Sequence, residues 1–156
     1  MNNKKEIVID DLVFKFEYFE EQNLWYLGYN EMDLFELGYT TNITIEESNP
    51  DWEKVSGFLK FICSNKELFQ KKVEISNDEL KKLFKIRFDK IESSISVEDI
   101  FFSLSNVDYK SKSVEGGSFE YKLNFNIESK KDSGFFMYDT WTVSFRGDEI
   151  VEVKSN

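Results

Sequence analysis

"SNPDWEKVSGFLKFI" occupies residues 48–62, and its reading decides the fold. Asn49 is a candidate N-cap and Pro50 suits the first helical position. Trp52, Val55, Leu59 and Ile62 then fall on one face at helical spacing. "SNKELF" (64–69) breaks or continues this helix. "SNDELKKLFKIRF" (76–88) carries a capping box from Ser76 to Glu79. Leu80, Leu83, Phe84 and Ile91 form its apolar stripe, with Lys81, Lys82 and Lys85 solvated. A third short helix is expected from Ser96, with Val97, Ile100, Phe101 and Leu104 facing inward.

On either side the periodicity changes from 3.6 to 2. Upstream, Leu12, Phe14, Phe16 and Tyr18 alternate with Val13, Lys15 and Glu17. Trp25, Leu27 and Tyr29 follow the polar turn "EEQN", and "NEMD" (30–33) turns the chain again. Phe35, Leu37, Tyr39, Thr41, Ile43 and Ile45 then alternate with polar residues and Gly38. Downstream, Phe119, Tyr121, Leu123, Phe125 and Ile127 alternate with Glu and Asn. Trp141, Val143 and Phe145 form another inward face, and "RGDE" (146–149) turns into Val151 and Val153. Segregated runs of strands, helices and strands predict an α+β fold: an antiparallel sheet from N- and C-terminal strands, covered by two or three central helices. One domain is expected over residues 1–156, with strands in 1–47, a helical middle in 49–105 and strands in 106–154.

The composition narrows the chemistry. With 16 Phe, 7 Tyr and 3 Trp in 156 residues, the chain has ample apolar area for one core. It has no His, which removes His-based general-base catalysis, Ser-His-Asp and Cys-His pairs, and His metal sites. A single Cys63 excludes an intramolecular disulfide and a multi-thiolate zinc site. "EGGSFE" (115–120) lacks the spacing and the lysine of a phosphate-binding loop. No apolar run is long enough to span a bilayer and no apolar leader follows Met1, so a cytoplasmic protein is expected. In that setting the Asn42-Ile43-Thr44 sequon and the Arg146-Gly147-Asp148 tripeptide are coincidences.

Charge is unevenly spread. Residues 1–53 carry thirteen acids against three bases, a local charge equal to the −10 of the whole chain. Residues 54–90 carry ten bases against five acids. Such a field repels nucleic acid and anionic membrane and steers a basic protein partner; it also serves solubility.

Two stretches offer candidate sites. In "LWYLGYNEMDLFELGY" (24–39), Trp25, Tyr26, Tyr29 and Tyr39 surround Glu31, Asp33 and Glu36. Rigid aromatics with polar tips anchor interfaces, and adjacent acids match a basic partner. The same residues also read as an ordinary hairpin. Carboxylates at 31, 33 and 36 suit a hard cation, but no EF-hand spacing is present, and no metal or other cofactor is expected. Tyr138 and Asp139, just before the strand at Trp141, are candidates for a pocket at the sheet end. No pair among the thirty acids stands out as catalytic.

"FLKFICSNKELFQKKVEISNDELKKLF" (58–84) and "GFFMYDTWTVSFRGDEIVEV" (134–153) resemble the helical middle and C-terminal block of a group of small bacterial α+β proteins. Several members of that group look like immunity proteins paired with polymorphic toxins. Related chains often carry Gly-His where this one has Tyr138-Asp139, so a role tied to that His does not transfer. The resemblance implies a non-enzymatic inhibitor that neutralises a toxin, for instance a basic nuclease. The partner-binding set is then Trp25, Tyr26, Tyr29, Glu31, Asp33, Glu36, Tyr138 and Asp139. The alternatives are a scaffold or subunit domain of another cellular complex, and a carboxylate- or metal-dependent enzyme.

Overall fold

Alternating apolar and polar residues fold the first third into a meander. A computed structural model describes residues 2–27, 32–88, 100–111, 119–129 and 140–155. Strands β1 (Lys4–Ile9), β2 (Leu12–Phe19), β3 (Leu24–Leu27) and β4 (Asn42–Ile45) pair antiparallel in order. Helices α1 (Trp52–Ser64) and α2 (Lys66–Phe88) follow. Strands β5 (Ile100–Tyr109), β6 (Glu120–Ser129), β7 (Trp141–Arg146) and β8 (Glu149–Ser155) form a second meander. The result is one eight-stranded α+β sheet in strict chain order.

Its centre departs from the expected all-antiparallel sheet, because β4 and β5 run parallel. The two helices carry the chain back across the sheet, and a strand that follows such a crossover enters in the same direction as the one before it.

Register places one inward row across five strands: Trp25, Ile45, Tyr109, Tyr121 and Phe145 are successive cross-strand partners. Both helices pack on this face. From α1, Trp52 meets Trp25 edge-on at 4.9 Å, and Phe58 stacks on Tyr109 at 4.2 Å. From α2, Phe69 meets Tyr121 at 5.5 Å and Phe84 meets Trp141 at 6.0 Å. Large aromatics such as Phe14, Phe16, Phe35, Phe125 and Trp141 are fully buried between the layers. Each such side chain stabilises the fold by roughly 1.5–3 kcal/mol as an upper figure.

Four local expectations are corrected. The N-cap of α1 is Asp51, not Asn49; its carboxylate accepts from the amides of Glu53 and Lys54, so Pro50 precedes the cap. The segment from Phe35 to Thr41 is not strand. Glu36 (φ 54°) and Gly38 (φ 89°) are left-handed, and an extended chain cannot pass through either. Ser76 does not start a helix: α2 runs through it without a glycine or proline to stop it, and the break from α1 lies at Asn65.

The fourth correction is the third helix, since Ile100–Tyr109 is strand β5. Ile100, Phe102 and Leu104 point inward; a bulge between Leu104 and Asn106 then resets the alternation so that Val107 and Tyr109 also point inward. Ser96, Val97 and Ile91 lie outside the described residues. Within the described residues, no helix is long and apolar enough to cross a membrane.

Candidate functional site

Among the described residues, no helix covers the opposite face of the sheet, and it is polar along the centre. Tyr26, Thr44, Asp108, Lys122, Ser144 and Glu152 are successive partners across it. Hydrogen bonds stitch the middle of this face. Thr44 Oγ1 donates to Asn106 Oδ1 (2.8 Å), and Asn106 Nδ2 donates to Asp108 Oδ1 (2.5 Å). Asn124 Nδ2 donates to Asp108 Oδ2 (2.6 Å), and Thr142 Oγ1 donates to Asn124 Oδ1 (2.8 Å). Two amides thus hold one carboxylate with both its oxygens engaged.

Glu46, just beyond β4, lies against that carboxylate. Burial pushes its pKa up, and so do the charge of Asp108 and a side-chain hydrogen bond with it; Lys122 and Lys110 pull the other way. Lys110 Nζ is 3.6 Å from Glu46 Oε2. Beside the pair opens a cavity of about 320 Å³ lined by Glu46, Asp108, Lys122, Ser144, Arg146 and Glu152 among others. Arg146 Nε donates to Glu120 Oε1 at 2.7 Å on the same rim.

The N-terminal half of this face is different. Phe19 and Tyr26 meet edge to face at 5.7 Å, exposed by 44% and 39%. Val8 and Val13 are cross-strand partners and also exposed. Glu17 is the cross-strand partner of Tyr26, and Glu20 and Glu21 occupy the turn beside Phe19. The aromatic pair thus has Glu17, Glu20 and Glu21 beside it, while Lys4 and Lys15 pair with Glu17 and Glu6 on the same face.

The residues singled out in the sequence are dispersed. Trp25 is only 5% exposed; it packs on Trp52 and its Nε1 donates to the carbonyl of Ser48 at 3.1 Å, so it is core and not a surface anchor. Tyr26, its neighbour in β3, does face solvent. Asp33 accepts from the amides of Leu37 (2.7 Å) and Gly38 (2.6 Å), which commits its carboxylate to the turn. Glu36 reaches Lys66 Nζ at 3.4 Å. Tyr29, Glu31, Tyr138 and Asp139 lie outside the described residues. Within the described residues, no three acids or thiols are grouped as metal ligands. Burial raises the pKa of the Cys63 thiol, which disfavours the thiolate form.

Phe19 and the Glu46–Asp108 pair were missed. Phe19 was findable, because the period of β2 puts it on the outward side with Val13, Lys15 and Glu17. Glu46 and Asp108 carry no local signal, since only the parallel pairing of β4 with β5 joins them. Compared with known proteins, the chain matches no family model, no curated protein and no solved structure.

Proposed function

We propose that this chain is a non-enzymatic protein-binding domain of the immunity type, which neutralises a toxin through the outer face of β1–β3. The observation that carries the reading is the exposed Phe19–Tyr26 pair at 5.7 Å on a sheet face that, among the described residues, no helix covers. Rigid aromatic area held in solvent beside acids is what an interface anchor requires. The partner's chemistry follows from charge. Thirteen acids against three bases in residues 1–53 favour a basic protein surface and speed its approach at low salt. A basic nuclease fits that description. The resemblance of 58–84 and 134–153 to a group of small bacterial proteins, several of which look like immunity proteins, points the same way.

The test is growth rescue. The gene beside the one encoding this chain is expressed alone and then together with it. Toxicity relieved through a stable complex supports the reading, and Phe19→Ser with Tyr26→Ser should then lower affinity by at least about tenfold. A harmless neighbour that still forms a complex favours the scaffold alternative. A complex indifferent to both substitutions places the interface elsewhere.

A further inference from the structure

The solvent side of helix α2 carries two isoleucines that the core does not use. Ile75 is 50% exposed and Ile86 is 76% exposed, while Val73, Leu80 and Phe84 on the opposite side are buried. Eleven positions separate Ile75 from Ile86, close to three full turns, so both stand on one side of the helix, roughly 16 Å apart. A single exposed isoleucine is ordinary, but two in line with ordered charge between them form a surface. Asp78 and Glu79 follow Ile75, and Lys82 and Lys85 precede Ile86. These two acids and two bases cancel, although the chain as a whole carries −10.

Along the helix the row runs apolar, acid, base, apolar. Reversed, it runs apolar, base, acid, apolar. The row is complementary to itself turned end for end, which is what a two-fold interface requires. Within one chain Lys82 Nζ already lies 3.0 Å from Glu79 Oε1. Where this pair meets its own copy in reverse order, each charge keeps its first neighbour and gains a second of opposite sign.

We infer that a second copy of this chain docks on this stripe, with α2 antiparallel to its counterpart and Ile75 against the partner's Ile86. Glu79 then faces the partner's Lys82, and Lys82 the partner's Glu79. Asp78 and Lys85 share one flank of the seam and meet the partner's Lys85 and the partner's Asp78. Charge selects this arrangement. A parallel pair sets Glu79 against the partner's Glu79 and Lys82 against the partner's Lys82, like on like. Sliding the antiparallel pair by seven residues puts Ile75 on the partner's Glu79 or Ile86 on the partner's Lys82. A seam three turns long buries less than the roughly 1,200 Å² of a standard stable complex, so the dimer is weak. It lies on the helical side of the sheet, away from Phe19 and Tyr26. Both outer faces stay open in the dimer, and its failure leaves the protein-binding reading untouched.

The test is sedimentation velocity of the full chain from about 10 µM to about 1 mM, where a monomer–dimer transition is expected. Ile75→Asp should weaken the dimer by at least about tenfold with an unchanged far-UV spectrum, since the side chain stands in solvent. Lys82→Glu should weaken it too, and adding Glu79→Lys should restore it. Register is read by cross-linking in a Cys63→Ser background. Ile75→Cys chains mixed with Ile86→Cys chains should form a disulfide-linked dimer on oxidation. Neither variant should do so alone, because like positions stand roughly 16 Å apart along the seam, beyond disulfide reach. A chain that stays monomeric at about 1 mM overturns the proposal and leaves the stripe to a different protein. A dimer indifferent to Ile75→Asp, or Ile75→Cys chains that cross-link among themselves, overturns it as well.

Discussion

Lys72 Nζ donates to the carbonyl oxygen of Gly147 at 3.0 Å and to the hydroxyl of Tyr121, which ties helix α2 to the β7–β8 turn. The ammonium lies within 5.1–5.8 Å of the ring centres of Phe61, Phe69, Tyr121 and Phe145, and Asp148 Oδ1 is 3.1 Å away. A lysine that is 3% exposed is tolerated only with its donors used and its charge faced by rings and a carboxylate. Burial, with the charge of Asp148 second, pushes the Tyr121 hydroxyl pKa up, so it stays protonated.

Lys72→Ala should therefore destabilise the chain by about 2–4 kcal/mol, from lost packing and from two lost charge-assisted hydrogen bonds, the Gly147 carbonyl keeping only the Tyr121 hydroxyl as donor. Lys72→Met keeps most of the volume and removes the buried charge, and should cost less than half as much. Urea unfolding of both variants checks the order. Equal losses would show that the charge, and not the packing, dominates.

Asn77 on α2 binds the backbone of Phe102 as a neighbouring strand does: its Nδ2 donates to the carbonyl at 3.0 Å, and its Oδ1 accepts from the amide at 2.9 Å. Asn77→Ala orphans both groups and should cost about 2 kcal/mol. Hydrogen exchange at the Phe102 amide should accelerate more than at Val107, which keeps its ladder partners.

The turn after residue 32 rests on Asp33 and Gly38. Asp33→Ala removes the acceptor for two amides and should cost about 1–2 kcal/mol. Gly38→Ala meets no atom within 4 Å of the new Cβ, so its cost of about 1 kcal/mol or more comes from φ 89° alone. Thermal melts of the two single variants test this. A neutral Gly38→Ala would mean the turn relaxes.

Glu46 makes stability depend on pH in a stated direction. Its pKa is raised from 4.5 in the folded chain, first by burial and then by Asp108, so the folded state binds its proton more tightly than the unfolded state does. That contribution is fully present below 4.5 and is lost as pH rises through the folded value. Glu46→Gln should abolish this slope and leave the protein at least as stable as the parent at neutral pH. Denaturant midpoints between pH 4 and 8 would show it; an unchanged slope assigns the titration to another group.

Most strands were legible from residues alone. The alternation in 12–18, 119–127 and 141–145 marks β2, β6 and β7, and the turn at Gly147 (φ 60°) falls within "RGDE". The stripe Val55, Leu59 and Ile62 marks the buried face of α1. Strand β5 was hidden because Ile100 and Leu104, four apart, also fit a helical face, and the bulge beyond Leu104 breaks the period of two before Val107 and Tyr109. Phe35, Leu37 and Tyr39 imitate a strand, yet the chain turns there because Asp33 binds the amides of Leu37 and Gly38.

The candidate site was less legible. Tyr26 is exposed, but Trp25 reads as a surface anchor only until Trp52 packs over it. The sequence by itself determined most of the element types, the acidic first third and the absence of imidazole chemistry, since periodicity, charge and composition are properties of the chain. The tertiary structure alone decided which residues meet. The parallel join of β4 to β5 brings Glu46 to Asp108 across 62 positions of sequence, and the sheet then sets Lys122 and Ser144 beside them. Cross-strand neighbours are chosen by register, and register comes from the whole core being buried at once.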